Sequence, residues 1–521
     1  MKLFWRCFSV LHRLFDIILH GLFRLAYAGR KEQLPPISNL LLLQSATSLA
    51  AKIRKKKLKS VDLVNVYIQR IKEVNPFLNA AVHFRFDQAL NEAQKADEIV
   101  AKGAKTEEEL EKEMPFLGVP ISVKELIAVE GLPLSGGLVS RKDARSPFNA
   151  QTVQLMRSAG AIPLVTTNIS ELGMWYESYN KVYGRTSNAY DTSRTCGGSS
   201  GGEGSLLGAA GSVMGIGSDI GGSIRIPAFF NGIFGHKPSP EVVSNYGTYP
   251  PSCEREFVPY LSLGPMCRYA TDLAPMLSVL AGKGAAMLHL ELPVKLKELK
   301  VYYIEDFGNH VVCTKVENDM IKALYKVLHH FTNAYKVTPT KLNLPALRHA
   351  YPMWAEAIRA CRAPAFSEEL TERKGGKIDF RAELVKWLLG KSPFTYPAVL
   401  LGAIEGTVFD GSGKHLTRLK DLKLQLQELL GEDGILFVPP HPTVAPHHNE
   451  PLFKPFNFSY TGIFNVLGFP VTQCPLGIGN EGLPLGVQVA AAPGCDRLTL
   501  AVAVELEKVF GGWVCPSAVM E

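Results

Sequence analysis

The sequence predicts an α/β protein, a sheet covered on both faces by helices. Three observations carry that expectation. Short apolar runs at 119–123, 161–166, 212–217, 299–304, 434–438 and 485–491 alternate with stretches of helical period, the order that builds a layered sheet. The 521 residues are 46% hydrophobic and 20% charged, enough for one large core and too apolar for a disordered chain. No repeat of solenoid period appears, and from residue 38 onward no linker separates independent domains.

The first element is a greasy helix at 1–27. Lys2, Arg6, Ser9, Arg13, Asp16, His20 and Arg24 recur at steps of three or four and form one polar stripe. Around it stand Phe4, Trp5, Phe8, Leu11, Phe15, Ile18, Leu19, Leu22 and Phe23. About 22 residues at roughly 1.5 Å each would reach across a ~30 Å hydrocarbon layer. Arg13 and Asp16 sit near the centre, where each charge costs roughly 2.5–3.5 kcal/mol. A tilted anchor, or a helix lying in the interface, therefore fits better than a clean span, and residues 1–29 are expected to form a membrane anchor. Three alternatives fit less well, one of them an ordinary buried helix. A mitochondrial presequence would be less greasy, and a secretory signal would have a charge-free core and a small-residue cleavage site.

Charge distribution points the same way. Residues 1–60 carry twelve Lys and Arg against Asp16 and Glu32, whereas the remainder carries 44 basic and 47 acidic side chains. The net +7 is thus an N-terminal feature. A nucleic-acid binder would spread its basic groups over the folded body, so a membrane surface is the expected partner and nucleic acid is not. Nine cysteines without a CxxC pair argue against a disulfide framework or zinc module and for a reducing, intracellular setting.

Pro35-Pro36 closes the first helix. The run 52–59 (KIRKKKLK) reads as a solvated helix end, with a lipid-facing patch or a nuclear signal as alternatives. Ser60 is expected to cap a helix at 61–74 that stops before Pro76. A second helix follows at 86–102, and 105–113 reads as a charged loop or helix end.

Chemistry concentrates in 195–238, where glycines demand sharp turns or close backbone approach. A phosphate cradle does not fit. GxxxxGK[ST] is absent, and Gly202, Gly204, Gly208 and Gly215, Gly217, Gly221 are spaced GxGxxxG rather than GxGxxG. Gly197-Gly198-Ser199-Ser200-Gly201 matches the GxSxG elbow but lacks a strand before it, and His441, His447 and His448 sit among prolines without convincing metal-ligand spacing. Acyl transfer by separated residues fits better. Asp219-Ile220-Gly221-Gly222-Ser223 precedes an amphipathic helix at 224–231, and successive N–H groups at such a turn can form an oxyanion hole. Ser199 lies in the other glycine-rich loop, and Gly118 to Glu125 (GVPISVKE) sets Lys124 at the end of a fully buried strand.

These segments resemble the amidase-signature family, whose motifs GVPxSxKE, GGSSGG and DIGGSIRxP they match, and the similarity extends over most of 45–515. His236 replaces the commoner Leu in the GIFGHKP tail, a change expected to affect packing only. The resemblance implies a single α/β/α layered catalytic domain over 38–515 with a central twisted mixed sheet. It implies Ser223 as nucleophile, Ser199 as bridging proton carrier and Lys124 as ultimate base. Ile220, Gly221, Gly222 and Ser223 would supply the oxyanion-hole amides, with no metal or organic cofactor. Lysine works as a base only when neutral, so burial or a nearby cation must lower its pKa of ~10.4 towards ~7. Glu125, next along the strand, is expected to point to the opposite face and leave that shift intact.

A second greasy stretch at 384–404, broken at Gly390 and Pro393, reads either as two short helices that could lie on a bilayer or as an ordinary buried helical hairpin. With it, the chain is similar to the fatty-acid amide hydrolase branch of the family in its second, vertebrate-type form. That resemblance implies a membrane-associated serine hydrolase acting on primary fatty amides such as oleamide and on N-acylethanolamines. Met174, Trp175 and Ser199 would contact substrate, and a homodimer stays open as the assembly. The alternatives are the amidase subunit of a glutamine-dependent aminoacyl-tRNA transamidation complex, a small-amide amidase and an inert membrane-tethered scaffold.

Overall fold

The strands that were hardest to read from sequence sit at the centre of the sheet. The computed structural model describes residues 2–251, 259–308, 312–361, 364–376, 378–405 and 413–520. The side chains of 2–7, including Lys2, Phe4, Trp5 and Arg6 of the expected anchor, lie outside the described residues. Across one mixed sheet the strands run Ala81–Phe84, Ile162–Thr167, Pro120–Lys124, Met214–Asp219, Ser262–Cys267, Phe234–Lys237, Val471–Ile478, Pro484–Ala491, Gly434–Val438, Lys300–Tyr303 and Thr340–Lys341. Six match the apolar runs within about two residues. Ser262–Cys267 and Val471–Ile478 escaped that pattern because Gly264, Pro265 and Pro475 interrupt them. Phe234–Lys237 is short and ends in His236 and Lys237.

Pro120–Lys124 lies between Ile162–Thr167 and Met214–Asp219, all three parallel and buried at every residue. Lys124, Thr167 and Asp219 are their last residues, so all three emerge at the same edge. Carboxyl ends of adjacent parallel strands are where α/β sheets ordinarily place their chemistry.

Helices cover the sheet, with several departures from expectation. The helix Ser60–Leu78 runs two residues past Pro76. Ser60 is not its cap. Its Oγ donates to the Gly118 carbonyl at 2.8 Å, and Asp97 of Phe86–Lys102 accepts from the amides of Ser60 and Val61. The charged stretch after 105 forms a helix, Glu107–Glu113, with Thr106 and Glu109 in a capping box. Lys55, in the basic run, pairs with Glu107 at 3.4 Å. The expected amphipathic helix is Arg225–Phe230, and it is buried on all sides.

The N-terminal helix spans Lys2–Ala26 and turns part of its polar stripe inward. Asp16 and Leu19 are buried, His20 Nδ1 lies 3.2 Å from Glu450 Oε1, and the Tyr27 ring stacks on His447. Arg13, Arg24 and the apolar residues Leu11, Leu14, Phe15, Ile18 and Leu22 face outward. No helix among the described residues is long and apolar enough to cross a membrane, so the expected transmembrane character is not supported. The charges near mid-helix that argued against a clean span are the physical reason.

The second greasy stretch forms the helices Phe380–Leu388 and Tyr396–Ile404. They rest on a small separate core containing Leu138, Leu172, Leu370 and Ala398, and expose Leu384, Val385, Leu388 and Leu389.

Both chain ends are tied to the body by Arg70. Its guanidinium donates to the carbonyls of Ala209, Pro35 and Pro36 and to Ser517 Oγ, at 2.9–3.2 Å. Arg70→Leu would strand these buried acceptors and should lower unfolding free energy by about 3 kcal/mol in denaturant titration. A loss below about 1 kcal/mol would show that the clamp is not what holds the termini.

Candidate active site

Lys124 is fully buried, and its Nζ donates to Ser199 Oγ at 2.7 Å and to Ser218 Oγ at 2.9 Å. A longer contact of 3.4 Å reaches the Ser218 carbonyl. Burial lowers its pKa from 10.5 to about 7, against the opposing charges of Asp219 and Glu203. Such a fall disfavours the charged amine by about 5 kcal/mol. Glu125, the neighbour in sequence, is occupied elsewhere. It accepts from the Ser135 amide and hydroxyl, the Gly136 amide and the Tyr183 hydroxyl.

Glu203, which sequence reasoning missed, is the other acid facing the lysine. It sits on the helix Gly201–Gly208 directly after the two serines. Burial raises it to about 7, and hydroxyls of Ser122 and Thr167 donate to it at 2.6 and 2.8 Å. This short helix presses against the strand edge, since a Cβ at Gly202 would stand 2.3 Å from the Asn168 nitrogen. The Gly198–Ser199 peptide before it is cis.

Exposure rises along the expected relay: Lys124 0%, Ser199 2%, Ser223 8%. Ser223 is thus the hydroxyl most open to an incoming molecule. It adjoins the Ser199 loop through a 3.2 Å bond from the Ser200 amide to the Ser223 carbonyl.

The turn 219–224 is built around Asp219. Its carboxylate accepts from the amides of Gly222 and Ile224 at 2.7 and 3.0 Å, from the Arg225 guanidinium at 3.0 and 3.1 Å, and from Asn465 Nδ2 at 2.9 Å. Burial alone would raise its pKa, but the Arg225 charge and these hydrogen bonds hold it well below the usual range. The carbonyls of Asp219, Ile220 and Gly221 are bound in turn by Asn465, Trp354 and Thr461 at 3.0, 2.9 and 2.8 Å. A trans peptide points its carbonyl and following N–H in opposite directions, so those amides face away from that wall. The N–H groups of Ile220, Gly221 and Ser223 have no acceptor among the described residues. Gly222 departs from expectation because its N–H is committed to Asp219. Its φ of +123° and the 2.1 Å gap from an added Cβ to Thr461 Oγ1 require glycine there.

His236 does more than pack. Its ring nitrogens meet Thr472 Oγ1 at 2.8 Å and Asp496 Oδ1 at 3.1 Å in a fully buried network. Of the other histidines, His441 packs edge-on to Phe230, His447 stacks on Tyr27, and His448 Nδ1 lies 2.8 Å from Glu177.

Met174 and Trp175 line a solvent-open cavity beside rather than over the three polar residues. The backbone beside it nevertheless abuts the Ser199 loop. A Cβ at Gly173 would lie 3.3 Å from Ser199 Oγ, and one at Gly198 would lie 2.6 Å from the Trp175 carbonyl. Phe366, Trp387, Tyr396 and Leu401 close the cavity from the helical hairpin side, and Asn449 and Leu452 from the segment that receives the N-terminal helix.

The family model described as Amidase matches residues 62–500. Fatty-acid amide hydrolase 2 of Homo sapiens is 48% identical over 489 residues, covering 92% of each chain. Fatty-acid amide hydrolase 2-A of Danio rerio is 49% identical over 488 residues, 92% of this chain and 91% of the relative. Among solved structures, one titled "Fatty acid amide hydrolase" superposes with a TM-score of 0.73 at 22% identity, over 93% of this chain and 87% of the other, a likeness of fold. The chain belongs to the amidase family, whose members hydrolyse amides.

Folding lowers the pKa of Lys124, so the folded protein holds fewer protons than the unfolded chain between about pH 7 and 10.5. Stability therefore rises with pH across that window, and Lys237, buried and lowered to about 7, adds to the slope. Lys124→Met removes a buried cation at the cost of two orphaned hydroxyls. It should raise stability at pH 7 by about 1–2 kcal/mol and flatten the slope. Its amide hydrolysis should fall ~10²–10⁴-fold, whereas the wild-type rate should climb through about pH 7. A Met variant that hydrolyses amides near the wild-type rate would remove the lysine from the chemistry.

Proposed function

We propose that this chain is a membrane-associated serine hydrolase that cleaves fatty-acid amides, including primary amides such as oleamide and N-acylethanolamines, to fatty acid and amine. The reading is carried by the 2.7 Å contact between a near-neutral buried amine and the Ser199 hydroxyl, in a chain 48% identical to a fatty-acid amide hydrolase 2.

In the first half-reaction Ser223 Oγ attacks the amide carbonyl and gives its proton to Ser199, whose own proton passes to the lone pair of Lys124 Nζ. The open amides of Ile220, Gly221 and Ser223 receive the developing oxyanion. The Gly222 amide stays with Asp219 and fixes the turn. Lys124 then returns its proton through Ser199 to the leaving amine. Water repeats the sequence on the acyl-serine and frees the fatty acid.

The apolar wall of Met174, Trp175, Phe366, Trp387 and Leu401 supports binding of the acyl chain. Residues 1–29 act as the membrane-associating segment and 38–515 as the catalytic domain. A docked helix with its apolar face outward, and the exposed Leu384, Val385, Leu388 and Leu389, support attachment to one leaflet without a span.

Oleamide, N-oleoylethanolamine and glutamine assayed side by side should show fatty acid released from the first two and no ammonia from the third. Glutamine turnover without lipid hydrolysis would favour the transamidation subunit. Fluorophosphonate labelling should disappear in Ser223→Ala. For attachment, deletion of residues 1–29 should lower vesicle co-flotation at least several-fold and leave soluble-substrate hydrolysis intact. Undiminished flotation would assign attachment to the hairpin or deny it to both.

A further inference from the structure

Three neighbouring strands build a place for the carboxyl of Glu203. Side chains alternate across a strand, so Ser122 and Lys124 share one face of Pro120–Lys124 and Glu125 takes the other. On the shared face Ser122 Oγ donates to Glu203 Oε2 at 2.6 Å. Thr167, the register partner of Lys124 in the next strand, donates from Oγ1 to Oε1 at 2.8 Å. Gly215, the register partner of Ser122 on the other side, leaves the room. A Cβ added there would stand 1.8 Å from Glu203 Oε2. Two hydroxyls and a gap thus seat a fully buried carboxyl on the lysine's face of the sheet.

The other acids around the relay have their charge met elsewhere. Asp219 is paired with Arg225, and Glu125 accepts from two amides and two hydroxyls on the opposite face. Glu203 has no such partner among the described residues. The hydroxyls that bind it are neutral, and the cation that faces it is Lys124. The charges that face the lysine are Asp219 at the end of Met214–Asp219 and Glu203 on its helix, while Ile162–Thr167 contributes the uncharged Thr167. Burial pushes both members towards neutrality, raising the acid and lowering the amine. Two buried groups that interact in this way do not titrate independently. An ammonium facing a carboxylate and an amine facing a carboxyl hold the same single proton, and only the second arrangement offers Ser199 a lone pair.

We propose that Glu203 is a positioning residue of the relay, one that shares a proton with Lys124 and so sets the pH at which the amine becomes a base. Its negative charge favours the ammonium and delays the onset of activity to higher pH. A neutral side chain in the same seat releases the amine earlier. The inference rests on the serine-hydrolase reading and adds the group that tunes its base.

The test follows the rate of fluorophosphonate labelling at Ser223, and kcat/KM for oleamide, across the acid limb of the pH profile in wild type and Glu203→Gln. Labelling reports the relay whichever amide is the substrate. The new amide accepts from one hydroxyl and donates to the other, so the seat stays filled and only the charge goes. The acid limb should move down by about one pH unit, and below the limb the variant should keep up to about tenfold more of its plateau rate than wild type keeps. A glutamate with a structural role alone would lower the rate at every pH and leave the limb in place. That outcome, or a limb moved upward, would overturn the inference. Thr167→Val removes a hydroxyl that steadies the carboxylate, so it should move the limb the same way by a smaller amount. Should Glu203→Gln not fold, an unmoved or raised limb in Thr167→Val overturns the inference in its place. Failure of the underlying reading looks different, because wild type then takes no label at any pH and the inference falls with it.

Discussion

Everything in this site depends on keeping one buried amine uncharged while two carboxylates share its surroundings. Either acid, left free and ionised, would hold Lys124 protonated. The fold prevents that in two ways. Asp219 is fully ionised, but its charge is spent on Arg225 and on the amides of Gly222 and Ile224. Among the described residues Glu203 is hydrogen-bonded by the neutral hydroxyls of Ser122 and Thr167, and burial raises it to about 7. Burial of the lysine then outweighs what attraction remains, and the amine settles at about 7.

The same Asp219 links electrostatics to shape. Because it gathers the Gly222 and Ile224 amides, the chain folds tightly around it. Asn465, Trp354 and Thr461 hold the outer carbonyls. Orientation of the remaining amides follows from peptide planarity, with no further device. The buried ion pair of Asp219 and Arg225 thus fixes a turn as well as an electrostatic potential. Arg225 also reaches the Thr461 carbonyl, Gln488 and Asn465, which ties the turn to the far half of the sheet.

Local segments of the site were legible because glycine spacing and a strand-end lysine are local signals. Lys124, Ser199 and Ser223 could be singled out, and the contact of the first two is what the family motifs imply. Their surroundings were not legible. Glu203 looks like an ordinary helix glutamate until the fold sets Gly215 against it, where an added Cβ would come within 1.8 Å of its carboxylate. Trp354, Thr461 and Asn465 lie more than a hundred residues downstream, and no periodicity connects them to the turn they hold. In the sheet, the six apolar runs were visible, whereas Ser262–Cys267 and Val471–Ile478 carry glycine and proline in strands whose burial comes from their neighbours. The direction of the N-terminal helix was beyond sequence for a similar reason. A polar stripe reads as a solvent face until Glu450 supplies a buried partner for His20.

That inversion also fixes how the helix sits beside the cavity. A helix docked through buried polar contacts keeps its apolar face free and its orientation fixed, which a flexible tether could not do. The segment it docks against contains Asn449, whose Nδ2 donates to the Tyr27 hydroxyl and which also lines the cavity with Leu452. On the far side of the same cavity stand Trp387 and Leu401 of the hairpin, whose outer face is apolar too. One opening is therefore flanked by two apolar outer surfaces on separate elements, and its lining residue Met174 follows Gly173, whose added Cβ would lie 3.3 Å from Ser199 Oγ. The amidase family match begins at residue 62, after the N-terminal helix has ended. Lys124, Ser199 and Ser223 all lie in the matched body, and the docked helix precedes it.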